Sequence, residues 1–121
     1  MAQNVAILGA TDRTDKYAYL AFKKLQAHGH NPLPVSPFVK SVEGVPAVAK
    51  LSDLKVRVDT LTMYVGPAKS DQMADEIVAL KPGRVIFNPG SENPALEARL
   101  KSAGIPFEEA CTLVLLGTGK F

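Results

Sequence analysis

Short apolar runs alternate with amphipathic stretches along the whole chain. Val5 to Leu8 is apolar and closed by Gly9, too short for a helix, and predicts a strand. From about Asp15 to His28 the residues Tyr17, Ala21 and Leu25, with Ala18 and Phe22 beside them, recur at helical spacing. Gly29 follows where a left-handed helix cap favours glycine. "NPLPVSP" predicts a second strand whose pairing the prolines confine to Leu33–Val35. "FVKSVEGVPAVAKLSDL" reads as a loop with a short helix at its end. "VDTLTMYVGP" is a third strand, rich in β-branched residues and stopped by Gly66-Pro67. Ser70 is the expected N-cap of a helix through Leu80, with Asp71 in its first turn and Lys81 at its end. "RVIFNPG" predicts a fourth strand, and Asn93-Pro94 starts a helix that Gly104 ends. "IPFEEACTLVLL" supplies the last strand or strands.

Strands and helices in regular alternation, with apolar strands, imply an α/β fold. The expected architecture is a single Rossmann-like domain over residues 1–121, a mostly parallel sheet with helices on both faces. Composition agrees: hydrophobic residues make up 46% of the 121, enough for one core without disulfides or metal. The net charge of +2, from 14 basic and 12 acidic residues, is too balanced to point to nucleic acid or a membrane surface. No apolar run reaches the roughly 18 residues of a membrane span, and no basic-then-apolar leader opens the chain. A lone cysteine, Cys111, cannot form an internal disulfide, which fits a cytoplasmic protein.

In parallel sheets ligands sit beyond the carboxyl ends of the strands, near the point where strand order reverses. The candidate loops are therefore "GATDRTDKY", "SPFVK", "GPAKS" and "NPGSEN". The first can turn backbone N–H groups and a helix N-terminus toward an anion, with Thr11 and Thr14 as hydroxyl donors and Arg13 and Lys16 as cations. Asp12 and Asp15 dilute that field. The blander reading has Thr14 or Asp15 capping the helix and the charges solvated.

The first loop is not a dinucleotide fingerprint. G-x-G-x-x-G needs three glycines and only Gly9 is present, while the acid that should hold the ribose is replaced by Ser36-Pro37. A NAD dehydrogenase is thereby disfavoured. "GTGK" is no Walker A loop either, since Val114 stands where its first glycine belongs and Phe121 where Ser or Thr belongs.

Taken together, "VAILGAT", "VSP", "YVGP", "NPGSEN" and "ACTLVLL" resemble the small stand-alone CoA-binding protein family. That family is related to the CoA-binding domain of the succinyl-CoA synthetase alpha subunit and of NDP-forming acyl-CoA synthetases. The resemblance covers essentially the whole chain and implies coenzyme A as the ligand. By position it implies that Gly9, Ala10, Thr11 and Lys16, with Arg13, line the CoA diphosphate. Ser36 and Pro37 would border the adenosine, and Lys40 would reach the 3′-phosphate or remain an ordinary loop lysine. Gly66 and Pro67 would form another wall, and Asn88, Pro89 and Gly90 would lie where the pantetheine arm passes. An acidic ribose clamp would repel a 3′-phosphate, so the serine-proline turn suits CoA better than NAD. The catalytic and ATP-grasp portions of the synthetases have no counterpart, which argues against ligase activity.

The remaining reactive residues have structural readings. His28 and His30 flank Gly29 at a helix end, where imidazolium favours the dipole. Glu108 and Glu109 would point to opposite faces of a strand, and Tyr17, Phe22 and Tyr64 would be core or pocket-wall residues. Cys111, in an apolar strand, is either an inert small hydrophobe or a partner for the CoA thiol. The expected function is non-catalytic binding of CoA or an acyl-CoA, with no nucleic acid or membrane partner. The alternatives are a small CoA- or nucleotide-dependent enzyme and a CoA-binding subunit for a separate catalytic chain.

Overall fold

Strand β1 (Asn4–Leu8) forms because both of its faces are covered: Val5 and Ile7 pack into one layer, Ala6 and Leu8 into the other. A strand buried on both sides reads as an unbroken apolar run. The computed structural model describes residues 2–121. Five parallel strands make the sheet in the order β2-β1-β5-β6-β7, with β2 at Asn31–Val35, β5 at Thr60–Met63, β6 at Arg84–Phe87 and β7 at Phe107–Glu109. Strands β3 (Ser41–Val42) and β4 (Val45–Pro46) form a small separate hairpin, followed by a 3₁₀ turn at Leu51–Asp53.

Helices lie on both faces, as expected. Helix α1 (Tyr17–Ala27) places Ala18, Phe22 and Leu25 against Val5 and Ile7. Leu116 of α5 (Thr112–Gly117) joins that layer. On the opposite face Ala74 and Ile77 of α3 (Ala74–Leu80) and Leu96 and Leu100 of α4 (Pro94–Ser102) pack with Leu61, Met63 and Phe87. Gly29 takes φ of +80° after α1, and Asn93 Oδ1 accepts the Leu96 N–H at 3.1 Å, so both predicted helix boundaries hold.

The β3–β4 hairpin lies in a segment that the sequence reads as loop, and three further elements differ from the sequence expectation. Strand β2 pairs with β1 from Asn31 to Val35, not only over Leu33–Val35. Pro32 and Pro34 alternate with the residues that bond to β1, and the Pro34 carbonyl accepts the Val48 N–H on the outer side at 3.1 Å. The missing proline donors therefore face the sheet edge, where they cost no ladder bond. Ser70 does not cap a helix. Helix α2 (Pro67–Gln72) begins one turn earlier, with Gly66 at its N-cap and Pro67 at its first position, and Met73 separates it from α3. Buried Ser70 instead accepts from Asn93 Nδ2 at 2.8 Å. Finally, "CTLVLL" is helix rather than strand, with Cys111 half-buried at the N-cap position of α5.

Candidate ligand-binding site

The chain reverses direction across the sheet at β1, which has β2 on one side and β5 on the other. Loops leaving such a pair diverge and open a crevice at the carboxyl ends of the strands. Two adjoining clefts occupy that position. The larger, about 450 Å³, runs between the first loop at Gly9–Thr11, the end of β2 at Ser36–Val39, and Tyr64–Gly66 with Lys69 and Met73. The smaller, about 420 Å³, lies at the start of α1 and is lined by Gly9, Thr11, Arg13, Lys16, Tyr17, Ala18 and Tyr64. Gly9, Thr11 and Tyr64 belong to both, so the two form one bent groove.

The first loop is held from behind. Gly9 has φ of +93°, and a Cβ there would meet the Tyr64 carbonyl oxygen and Val65 Cγ1 at 3.0 Å. The glycine is required by packing on the end of β5. The N–H groups of Gly9 and Ala10 both donate to the Val35 carbonyl, at 3.0 and 3.3 Å. These donors therefore bind the loop to β2 instead of facing a ligand. Further donors come from α1. Its N-cap is Lys16, which makes no side-chain cap bond, and its first turn holds no acid. Neither Thr14 nor Asp15 caps it. An uncapped first turn presents orphan N–H groups and the positive end of the helix dipole. Arg13 and Lys16 add full charges on the same rim. Asp15 approaches Arg13 only to 3.8 Å with both side chains exposed, so it neutralises little.

On the other wall Ser36 is buried, donates its N–H to the Val48 carbonyl at 2.8 Å, and accepts the Phe38 N–H on Oγ at 3.1 Å. That tight turn carries Phe38 into the mouth of the larger cleft. Tyr64 divides the groove, and its hydroxyl is buried without a hydrogen-bond partner. Burial pushes the phenol up to about 12, with the nearby Thr112 and Thr62 hydroxyls opposing the shift.

A family model described as CoA binding domain matches residues 3–117. The chain belongs to that family. It is 40% identical to an uncharacterized protein of known structure, with a TM-score of 0.91 over 100% of this chain and 99% of that one. It is 35% identical to the Thermus thermophilus protein cell-free ID.343, with a TM-score of 0.90 over 99% and 91% of the two chains. The Bacillus subtilis protein YneT is 25% identical over 77 residues, which span 64% of this chain and 57% of YneT. The fold also recurs in the dinucleotide-forming acetyl-coenzyme A synthetase 1 of Ca. Korarchaeum cryptofilum, solved with phosphate and ADP. There the identity is 19% and the TM-score 0.77, over 89% of this chain and 25% of that one.

Within this CoA-binding domain the sequence-predicted site residues divide into two groups. Gly9, Ala10, Thr11, Arg13, Lys16, Ser36, Pro37 and Gly66 come together around the bent groove. Lys40 is exposed where the β3–β4 hairpin begins and lines neither cleft, and Pro67 is the first residue of α2, also outside both. Asn88, Pro89 and Gly90 follow β6, one strand beyond the groove. Asn88 is buried, with Nδ2 donating to Thr62 Oγ1 at 2.6 Å and to the Met63 carbonyl at 2.9 Å. Its Oδ1 accepts the Thr112 N–H at 2.8 Å and so caps α5 from another element. Phe38, Val39 and Lys69 lie in the candidate loops "SPFVK" and "GPAKS" without being singled out there, and Val65 and Met73 join them on the larger cleft. The exposed aromatic directly after Ser36-Pro37 was a usable signal for Phe38.

The two histidines need one correction. His30 Nδ1 accepts the Gln3 N–H at 3.0 Å, so the ring is neutral, and burial lowers its pKa below the ordinary imidazole value. It serves the amino-terminal edge of the sheet, not a helix dipole. No helix among the described residues is long and apolar enough to cross a membrane.

Proposed function

We propose that this domain binds coenzyme A, or an acyl-CoA, in the bent groove and does so without turnover of its own. The diphosphate lies at the N-terminus of α1, against Thr11, Arg13 and Lys16. The adenosine lies in the larger cleft, bordered by Ser36, Pro37 and Gly66. Asn88 acts behind the groove by holding the ends of β5 and α5 together. The observation that carries the reading is the start of α1, uncapped, with no acid in its first turn and with Arg13 and Lys16 on its rim. A helix start of this kind favours an anion. The end of β2 adds a second support, because a serine stands where a NAD site places its acid.

Binding rather than catalysis is supported by the chemistry of the lining. The Tyr64 phenol is raised away from neutral pH, and the Ser36 hydroxyl is engaged in a turn. Neither is a poised base or nucleophile. Calorimetry on the purified chain tests the proposal. CoA should bind at least tenfold tighter than NAD, and CoA with Lys16→Glu should bind roughly tenfold more weakly than with the native chain. Equal affinity for CoA and NAD, or steady acyl-CoA synthesis or NADH oxidation by the pure chain, would overturn it.

A further inference from the structure

Phe38 is 79% exposed, the most exposed large hydrophobic side chain among the described residues. An exposed aromatic ring at the rim of a cleft offers a flat face on which a base can stack. The Ser36 turn fixes its position, since the Phe38 N–H is tied back to Ser36 Oγ. Across the mouth, from α2, Lys69 sets Nζ 5.0 Å from the centre of the Phe38 ring. Lys69 makes no ion pair with a carboxylate among the described residues, so the ring is its contact. An exposed ammonium–ring contact is weak, and a phosphate is a stronger partner for the same ammonium. Both side chains line the larger cleft, which at about 450 Å³ falls within the range of small-molecule sites. Lys40, the cation nearest to hand in the sequence, lines neither cleft.

Resting on the CoA reading above, we propose that Phe38 and Lys69 are the specificity-determining pair for the nucleotide end of the ligand. The adenine stacks on the Phe38 ring. The Lys69 ammonium leaves the ring and pairs with the phosphate on the ribose. Lys69, rather than Lys40, then distinguishes CoA from dephospho-CoA.

Calorimetry with CoA and dephospho-CoA at one fixed ionic strength tests this. The native chain should prefer CoA by about tenfold. Lys69→Gln should bring CoA down to the dephospho-CoA affinity while leaving dephospho-CoA unchanged, and Lys40→Gln should preserve the preference. Phe38→Leu should weaken both ligands equally, by about five- to tenfold, and Phe38→Trp should restore them. Both positions are exposed, so the variants should keep the native melting temperature. A preference that survives Lys69→Gln, or that vanishes with Lys40→Gln, overturns the role of Lys69. Unchanged affinities with Phe38→Leu overturn the stacking. If the native chain binds neither CoA nor dephospho-CoA, the CoA reading itself fails, and this pair with it.

Discussion

Two turns at the same edge of the sheet, the loop after β1 and the turn after β6, carry similar polar residues and differ in what those residues have left to give. After β6, Asn88 donates twice and accepts once within the protein, and the Ser91 hydroxyl donates to the Asn88 carbonyl at 2.7 Å. The Gly90 N–H is taken by Glu92 Oε1 at 2.8 Å. After β1, the Gly9 and Ala10 N–H groups are likewise engaged, yet the chain runs on to a helix whose first turn is uncapped. Charge differs as well: the first loop mixes Arg13 and Lys16 with Asp12 and Asp15, whereas Glu92, Glu97 and Glu109 gather around the second. Donors engaged within the protein hold the fold together, and donors left unengaged are available to a ligand.

The sharpest way to break this contrast is Asn88→Ala. It strands the Thr112 N–H and removes the bonds to Thr62 and Met63, for an expected loss of about 2–4 kcal/mol. Thermal unfolding should show Tm lowered by roughly 8–15 °C, with CoA affinity of the folded protein nearly unchanged. A large loss of affinity at unchanged Tm would make Asn88 a ligand contact after all.

Gly9→Ala should come next, at roughly 1–3 kcal/mol, from a side chain forced to φ of +93° against the Tyr64 carbonyl. Because the strain lies between β1 and β5, stability and binding should fall together, and chemical denaturation beside calorimetry would reveal it. Arg13→Gln belongs to the opposite class. Stability should change by less than about 0.5 kcal/mol, while CoA affinity falls about threefold or more and the effect shrinks in high salt.

The smallest effect concerns the acidic side. Glu97, through a hydrogen bond and its charge, raises the Glu109 carboxyl above the ordinary glutamate value. The folded state then holds that proton more tightly than the unfolded chain, so this contribution is lost as pH rises through the raised folded value. Glu109→Gln should therefore give a slightly higher Tm than the native protein at pH 7. The gap should close below about pH 4, where both states are protonated. A gap independent of pH would remove the repulsion as its cause.

How much of this was legible beforehand follows from the range of the forces involved. The apolar run at Val5–Leu8, the helical stripe of Ala18, Phe22 and Leu25, and the cap formed by Asn93 and Pro94 depend on neighbours a few residues away. Local pattern was enough for those, and with them for the α/β class and the position of the first loop. The Gly66-Pro67 pair both ends a strand and, with proline at a first helical position, starts α2.

What only the tertiary structure decided rests on contacts between distant parts of the chain. The run Leu113–Leu116 suits a strand or a helix equally, and the Asn88 side chain, 24 residues away, caps it as a helix. Prolines at 32 and 34 look like strand breakers until β2 is known to be an edge. Lys40 and Lys69 are equivalent loop and helix cations in sequence, and only the reversal of strand order beside β1 brings Lys69 to the cleft and leaves Lys40 outside. Hydrophobic pattern is a property of neighbours, so a sequence states it. Which donors are spent, and which side chains face one another across a groove, depends on how the elements pack, and that is settled only when the chain has folded.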